Sequence, residues 1–260
     1  MKIFDSHCHL DDKSFRKDLD SVIKRANGAG VTRMMTIGVN GRTSARAVSL
    51  AQSHDGIYAS VGVHPHDVKN CDESAIQDLI DLAGNKKVRA WGEIGLDFNR
   101  MYSPRQDQEK WFEKQLEIAY ELDLPLIFHE RDSNGRFLEI LKNHKSNAMK
   151  GVVHCFSGNQ NELDQYLALG LHIGITGILT IKSRGAQLRQ LVPGIPTDRL
   201  LVETDAPYLV PAPEKNRIRR NEPAFVKSVL LKLAEVRNED PEQLADIVWQ
   251  NTCRLYDLEA

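Results

Sequence analysis

The chain has 260 residues and a net charge of −2, with 41% hydrophobic and 27% charged residues. This length suits one (β/α)₈ barrel, which typically has about 250 residues. The composition is that of an ordinary globular protein with a large core, and it excludes a disordered chain. Because the charge is nearly balanced, any contact with nucleic acid has to come from a local cationic patch or from metal ions.

Cysteine usage and the N-terminus predict the cellular compartment. Four scattered cysteines form no Cys-x-x-Cys pair, so neither a zinc knuckle nor a disulfide framework is indicated, and a reducing compartment is favoured. The N-terminus reaches His7 without the apolar segment of a signal peptide, and no run approaches 18 apolar residues. We therefore predict a cytoplasmic protein without membrane association.

Hydrophobic periodicity predicts alternating strands and helices along the whole chain. Helices are predicted at 11–27, 44–53, 73–83, 105–122, 135–143, 160–169, 186–191 and 223–236. Eight strands are predicted to start near residues 3, 31, 57, 88, 125, 151, 172 and 200. This regular series favours an α/β fold, a single-domain TIM (β/α)₈ barrel over 1–260, over a doubly wound open sheet. The C-terminal segment, about 237–260, adds a helix at 241–249 that we expect outside the barrel.

The first predicted strand ends in two histidines, His7 and His9. Alternate residues of a strand share one face, so these imidazoles make half of a metal site. Taken alone, such a pair is more often structural than catalytic. Its interpretation therefore depends on what the other strands contribute.

Polar residues recur at the C-terminal ends of the predicted strands, where barrel enzymes keep their chemistry. They are His7, His9, His64, Glu93, His129, His154, Glu203 and Asp205. The other four histidines, His54, His66, His144 and His172, do not share this placement. Converging imidazoles and carboxylates indicate a metal site. Six candidate ligands among them exceed the three of a catalytic site with one zinc ion, so they suit two ions that share a carboxylate. Such a site predicts hydrolysis.

Six motifs in register resemble the TatD family of metal-dependent deoxyribonucleases, within the amidohydrolase superfamily. They are DSHCHL at 5–10, GVHPH at 62–66, GEIGLD at 92–97, HCFSG at 154–158, ETDAPY at 203–208 and RNEP at 220–223. They follow one another in order from Asp5 to Pro223, so the resemblance extends over nearly the whole chain. The resemblance implies a TIM barrel that hydrolyses phosphodiester bonds, with activity on DNA ends.

The resemblance also implies the ligands of two divalent ions, whose identity (Zn²⁺, Mn²⁺ or Mg²⁺) stays open. One ion would be held by His7, His9, Glu93 and Asp205, and the other by Glu93, His129 and His154. Glu93 would bridge them, where many amidohydrolases use a carboxylated lysine instead. No ligand position is empty in this sequence.

Further roles each have a structural alternative. Glu93 and Asp205 are the predicted catalytic residues, with Asp205 as a general base or, equally, a ligand alone. Glu203 is expected to hydrogen-bond a ligand, a water or the substrate. His64 and Ser157 are candidate phosphate contacts; the alternatives are a hydrogen-bonded histidine at a strand end and a capping serine.

A local cationic run at 215–220 stands out on a chain of net negative charge. Arg219 and Arg220 in this run, together with Arg131, are candidates to bind a nucleic-acid backbone. The alternative is that they form a solvated surface. Base stacking is a further possibility for three aromatic residues that otherwise serve packing, namely Phe98, Tyr102 and Tyr208.

We therefore expect a metal-dependent hydrolase that cleaves DNA phosphodiester bonds, as a 3'-5' exonuclease on single-stranded ends. An alternative is a hydrolase of a small amide, lactone or ester on the same barrel. A third is a scaffold that has lost catalysis, which predicts a missing ligand, and none is missing. Single-stranded DNA is the expected substrate, no obligate protein partner is evident, and a monomer is expected.

Overall fold

The computed structural model describes residues 1–144 and 149–260, and within them eight parallel strands form one sheet in chain order. Each strand pairs with the next one along the chain. The strands are β1 (Ile3–Cys8), β2 (Val31–Ile37), β3 (Ile57–Val61), β4 (Val88–Asp97), β5 (Leu126–Arg131), β6 (Gly151–Val153), β7 (His172–Ile175) and β8 (Leu200–Val202). The eight predicted strands are thus confirmed.

The sheet closes where the chain beyond β8 meets β1. The amide of Asp205 donates to the carbonyl oxygen of His7 at 2.9 Å, and the amide of His9 donates to that of Ala206 at 2.7 Å. The Asp5 carboxylate also accepts from the amide and the hydroxyl of Thr204, at 2.8 and 2.6 Å. The predicted TIM barrel is therefore confirmed, and the open doubly wound sheet is wrong.

Helices surround the strands and cover them with their apolar faces. They are α1 (Leu19–Gly28), α2 (Gly41–Ser53), α3 (Glu73–Ala83), α4 (Arg105–Glu121), α5 (Arg136–Asn143), α6 (Gln160–Ala168), α7 (Ala186–Leu191), α8 (Val226–Arg237) and α9 (Pro241–Leu255). Asn40 and Asn159 form capping boxes at the starts of α2 and α6, which fixes where these helices begin. In the described ranges, no helix is long and apolar enough to cross a membrane.

Several predicted boundaries were wrong for identifiable local reasons. The helix predicted from residue 11 is replaced by a 3₁₀ turn, Lys13–Phe15, and α1 starts only at Leu19. Asp12 caps that turn through its side chain and Phe15 is buried, so the apolar periodicity came from two elements. β4 runs five residues beyond its predicted end at Gly92, because the glycines read as a strand end lie inside the strand.

The C-terminal helix closes one end of the barrel. Trp249 and Tyr256 pack in a cluster with strand residues such as Phe4, whose ring centroid is 6.0 Å from that of Trp249. The guanidinium of Arg33 lies 4.8 Å from the Trp249 ring, Arg89 donates to the carbonyl oxygen of Tyr256, and Asn251 donates to that of Leu200, so α9 lies beside the starts of β2, β4 and β8. The helix predicted to start at Pro241 is confirmed, but it extends to Leu255 instead of ending at Trp249, and it lies across the N-terminal end of the barrel, opposite the predicted ligands.

Candidate metal centre

Glu93 lies at the centre of the polar cluster at the C-terminal ends of the strands. Its Oε1 is 2.8 Å from Nδ1 of His129 and 3.4 Å from Nε2 of His64. Its Oε2 is 3.5 Å from Nε2 of His7, and Nε2 of His154 lies 3.9 Å from Oε1. Strands β1, β5 and β6 and the loop after β3 thus direct imidazoles at one buried carboxylate.

A β-bulge in β4 aims Glu93 at this position. Gly92 pairs with Ile127 and Ile94 with Phe128, so Glu93 is an extra residue between two consecutive pairs. Gly92 has φ +137°, which residues with a side chain rarely adopt. A bulge bends a strand and redirects a side chain. The local Gly-Glu-Ile-Gly sequence therefore makes the central carboxylate possible.

A second carboxylate, Asp205, faces the same imidazoles from the chain after β8. Its Oδ1 is 3.3 Å from Nε2 of His9 and 3.8 Å from Nε2 of both His7 and His154. The rings of His7 and His154 stack, with centroids 3.4 Å apart. All six residues predicted as ligands are therefore brought together by the fold.

The donor set fits divalent metal ions. Both ring nitrogens of His7 are buried without a hydrogen-bond partner among the described residues, an arrangement that is costly unless another group binds there. Ligand atoms lie within 4.8 Å of one another in three triads: His7, His9 and Glu93; His7, His154 and Asp205; His64, His66 and His129. Imidazole with carboxylate suits Zn²⁺ and related ions.

The charges in the cluster stabilise one another. Burial raises the pKa of Glu93, but the surrounding histidines outweigh it and hold this pKa well below its usual range. Burial lowers the pKa of His154, yet the charges of Glu203, Glu93 and Asp205 raise it to about 10. Protons on these imidazoles partly stand in for the positive charge that a cation supplies.

Glu203 contacts His154 on the side of the ring away from Glu93 and orients the imidazole. Its Oε1 is 2.8 Å from Nδ1 of His154 and accepts from the amide of Cys155 at 2.6 Å. A Cβ on Gly174 would lie 2.7 Å from both carboxylate oxygens, so glycine is required beside Glu203. Glu203 is 0% exposed and contacts His154, so its role as the hydrogen-bond partner of a ligand is favoured, and a contact with the substrate stays a prediction.

Two residues of the cluster were missed by the sequence analysis. Asp97, at the end of β4, has its Oδ2 2.7 Å from Nε2 of His66 and 3.3 Å from Nε2 of His129. Placing His66 outside the group of strand-end histidines was therefore wrong. The signal was present, because His64 and His66 repeat the spacing of His7 and His9, and Asp97 ends the same motif as Glu93.

Comparisons with known proteins identify the family. The sequence model described as "TatD related DNase" matches residues 4–257. The chain belongs to the TatD family. The "3'-5' ssDNA/RNA exonuclease TatD" of Rahnella sp. (strain Y9602) is 43% identical over 99% of both chains, and the protein of that name from Pectobacterium atrosepticum is 42% identical over 98% of this chain and 100% of the relative.

A solved structure agrees with this family assignment. The TatD homologue YJJV from Escherichia coli superposes with a TM-score of 0.91 at 30% identity, covering 99% of this chain and 98% of that one. The predicted resemblance to the TatD family and its TIM barrel are thus confirmed. The ligand assignments stay predictions.

In this TatD-family barrel, His64 offers a hydrogen-bond donor to the centre. The amide of His66 donates to Nδ1 of His64 at 3.0 Å, so the proton of the neutral ring lies on Nε2, which faces Glu93. Burial lowers the pKa of His64 to about 4, so the ring is neutral at pH 7. The geometry is compatible with the predicted phosphate contact, which stays a prediction.

The other predicted substrate contacts differ in their surroundings. Arg131 at the end of β5, Ser157 after β6 and Arg219 after β8 are exposed on the same side of the barrel as the cluster. Arg220 is already engaged: its guanidinium donates to both carboxylate oxygens of Asp18 at 2.8 and 2.7 Å and to Glu222 at 2.8 Å. These pairs hold the loop after β8 against the start of α1, and the role of Arg220 in binding substrate stays a prediction.

Proposed function

We propose that this chain is a 3'-5' exonuclease that removes nucleotides from the ends of single-stranded DNA and RNA. As a TatD-family member it is a hydrolase of phosphodiester bonds, and the finer assignment follows the activity for which relatives over 40% identical are named. The observation that carries the proposal is the convergence of Glu93, Asp205 and four imidazoles at the barrel mouth. The small-molecule alternative is not favoured by these relatives.

The family and the site imply divalent metal ions, and their number is part of the proposal. His7, His9 and Asp205 would hold one ion and His129 and His154 the other, with Glu93 shared. Bound at such a site, two ions lower the pKa of a water and neutralise charge on a phosphate. Zn²⁺, Mn²⁺ and Mg²⁺ all accept oxygen or imidazole ligands, so the identity is decided by experiment.

The protein's own groups move the proton and hold the phosphate. Burial raises the pKa of Asp205, but hydrogen bonding to His9 and the charges of His154 and His9 keep it below the usual range, so the carboxylate is ionised at pH 7. Asp205 accepts the proton of the attacking water and passes it to the leaving 3'-oxygen. His64 donates its Nε2–H to a phosphate oxygen.

The direct test uses metal-stripped protein and single-stranded DNA or RNA labelled at the 5' end. With Mg²⁺, Mn²⁺ or Zn²⁺ added back, we expect a ladder that shortens one nucleotide at a time from the 3' end. Asp205→Asn and Glu93→Ala should each lower the rate by about 10²-fold or more, since the first removes the proposed proton acceptor and the second the ligand that both ions would share. Asp20→Asn, at an exposed carboxylate on α1, serves as the matched control.

The same assay separates the competing functions. Release of the 5' label as a mononucleotide in the first turnovers would contradict the proposed polarity. Nucleic acid left intact under every metal, by protein that still binds two ions, would overturn the nuclease proposal. Hydrolysis of a lactone, ester or amide under those conditions would then favour the small-molecule alternative.

A further inference from the structure

A surface groove lies beside the candidate metal centre, between the loops that follow β7 and β8. Its volume is about 490 Å³. None of the six proposed ligands lines it. Its lining consists of Ile178, Ile181, Arg184, Pro207, Tyr208, Leu209, Val210, Lys215, Ile218 and Arg219.

Tyr208 joins the groove to the centre. Its ring centroid lies 5.8 Å from that of His9, in an edge-on arrangement, and its amide donates to the carbonyl oxygen of Asp205 at 2.8 Å. Asn221 fixes this turn by donating to the carbonyl oxygens of Thr204 and Tyr208, at 2.9 and 2.6 Å. A chain held at the metal centre can therefore continue directly into the groove.

The groove carries three exposed cations, Arg184, Lys215 and Arg219. In residues 1–144 and 149–260, none of the three makes an ion pair or a side-chain hydrogen bond. Other arginines nearby are engaged: Arg189 donates to loop carbonyls such as that of Leu179, and Arg220 pairs with Asp18. These three positive charges, on a chain of net charge −2, thus face solvent in one place.

The rest of the groove offers flat apolar surface. Tyr208 is 53% exposed and Ile218 is 38% exposed, although large apolar residues of this kind are usually more buried. An exposed aromatic ring beside cations is the combination with which proteins bind single strands, because bases stack on the ring and phosphates pair with the cations.

We propose that this groove binds the retained strand, the nucleotides on the 5' side of the scissile bond, with a base stacked on Tyr208 and phosphates held by Arg184, Lys215 and Arg219. The inference rests on the proposed exonuclease function and adds a strand-binding site to it. It also explains why single strands suit this enzyme, since a paired base is not free to stack on Tyr208.

The chemistry of the reaction selects the retained strand over the terminal nucleotide. Attack of water on the last phosphodiester breaks the bond between phosphorus and the 3'-oxygen. The water oxygen stays on the phosphate of the released nucleotide, and the proton goes to the new 3'-hydroxyl. The terminal nucleotide has no phosphate beyond that one, whereas the retained strand carries one per nucleotide for the three cations.

The test compares a dinucleotide, which has only the scissile phosphate, with a ten-nucleotide strand of the same base. We expect kcat/KM of the wild-type protein to be higher for the longer strand. The triple substitution Arg184→Ala, Lys215→Ala and Arg219→Ala should lower this preference about tenfold or more. It should also make the slope of log(kcat/KM) against log[salt] shallower by about 2, because each of the three lost phosphate contacts to a single strand reduces the magnitude of that slope by about 0.7.

Two further variants separate stacking and position from charge. Tyr208→Leu should weaken the preference by about fivefold or more, since stacking on an aromatic residue contributes that much per base, and Tyr208→Phe should restore it. Arg217→Ala is the matched control, because Arg217 is an exposed arginine of the same loop that does not line the groove. It should keep the wild-type preference and salt slope.

The outcomes for the groove and for the proposed function are distinguishable. A triple variant that keeps the length preference and the salt slope would overturn the groove assignment. A wild-type protein that cleaves neither substrate with any metal would overturn the proposed function instead. In that case the anisotropy of a labelled ten-nucleotide strand decides the groove: weaker binding by the triple variant supports it, and equal binding overturns it.

Discussion

At the residue scale, the candidate centre depends on carboxylates that contact the histidines at the ring nitrogen facing away from Glu93. Glu203 faces Nδ1 of His154 and Asp97 faces Nε2 of His129, so each leaves the other ring nitrogen directed at Glu93. Such partners fix the tautomer and orientation of a ligand and raise its basicity. The candidate centre therefore consists of the six proposed ligands together with the carboxylates that orient them.

Glu203→Gln should lower metal affinity by about 10- to 100-fold, the usual effect of removing such a partner. The amide keeps the shape of the side chain but loses the charge that faces His154. Affinity is measured by competition with a fluorescent chelator, and circular dichroism checks that the barrel is folded. Unchanged affinity in a folded variant would contradict an orienting role for Glu203.

His172 gives a pH dependence that has nothing to do with the metal centre. Burial, together with the positive charges of Arg199 and Arg254, lowers its pKa to about 4. Between pH 6.5 and 4 the unfolded chain therefore binds a proton that the folded chain does not, so the stability of the fold decreases as the pH falls. The contribution is roughly 2–3 kcal/mol across this window.

The measurement is urea unfolding of the wild-type protein and of His172→Leu at pH 7.5 and pH 4.5. The difference in unfolding free energy between the two proteins should shift by about 2 kcal/mol in favour of the leucine variant at the lower pH. The contributions of other titrating groups to the pH dependence are the same in both proteins and cancel in this difference. A shift of the same size in the opposite direction, or none, would mean that His172 is not neutral in the fold.

At the element scale, α9 contributes stability by closing the barrel. Trp249 is 7% exposed and packs on Phe4, so Trp249→Ala should lower the unfolding free energy by about 3–5 kcal/mol, as for other buried aromatic residues. Ile247→Ala on the same helix, where the side chain is 37% exposed, should cost less than about 1 kcal/mol. Equal losses by urea denaturation would contradict the placement of α9.

The elements also show what the sequence could predict and what it could not. Glu73–Ala83 was predicted to the residue, because Asp72 caps the start and the apolar spacing is regular. The end of β4 was wrong, because strand propensity argues against Gly92 and Gly95, which the bulged strand tolerates only through tertiary pairing with β5. The ion pair of Arg220 with Asp18 could not be predicted, because a cationic run does not reveal a partner that lies 202 residues away.

At the scale of the whole molecule, repetition made the fold predictable. Eight βα units of similar length leave few arrangements for a parallel sheet, and every parallel sheet places the C-terminal ends of its strands on the same side. That placement brought eight polar residues to one end of the barrel, and the resemblance to the TatD family implied which six of them are ligands. The pairing of imidazoles with carboxylates could not be predicted, because it depends on the bulge at Glu93 and on the close approach of Glu203 to Gly174.

The cluster should also link metal binding to the stability of the barrel. The cluster joins the two ends of the barrel sheet, because His7 lies in β1 and Asp205 in the chain after β8. The unfolded chain cannot hold the same set of ligands together. At a free metal concentration 100 times Kd, binding stabilises the fold by about 2.7 kcal/mol, which raises Tm by about 5–10 °C for a chain of this size. Differential scanning fluorimetry of chelator-treated protein, with Zn²⁺, Mn²⁺ or Mg²⁺ added stepwise, should show Tm rising with the logarithm of metal concentration. Glu93→Ala should abolish most of the rise, and an equal rise in that variant would place the binding elsewhere.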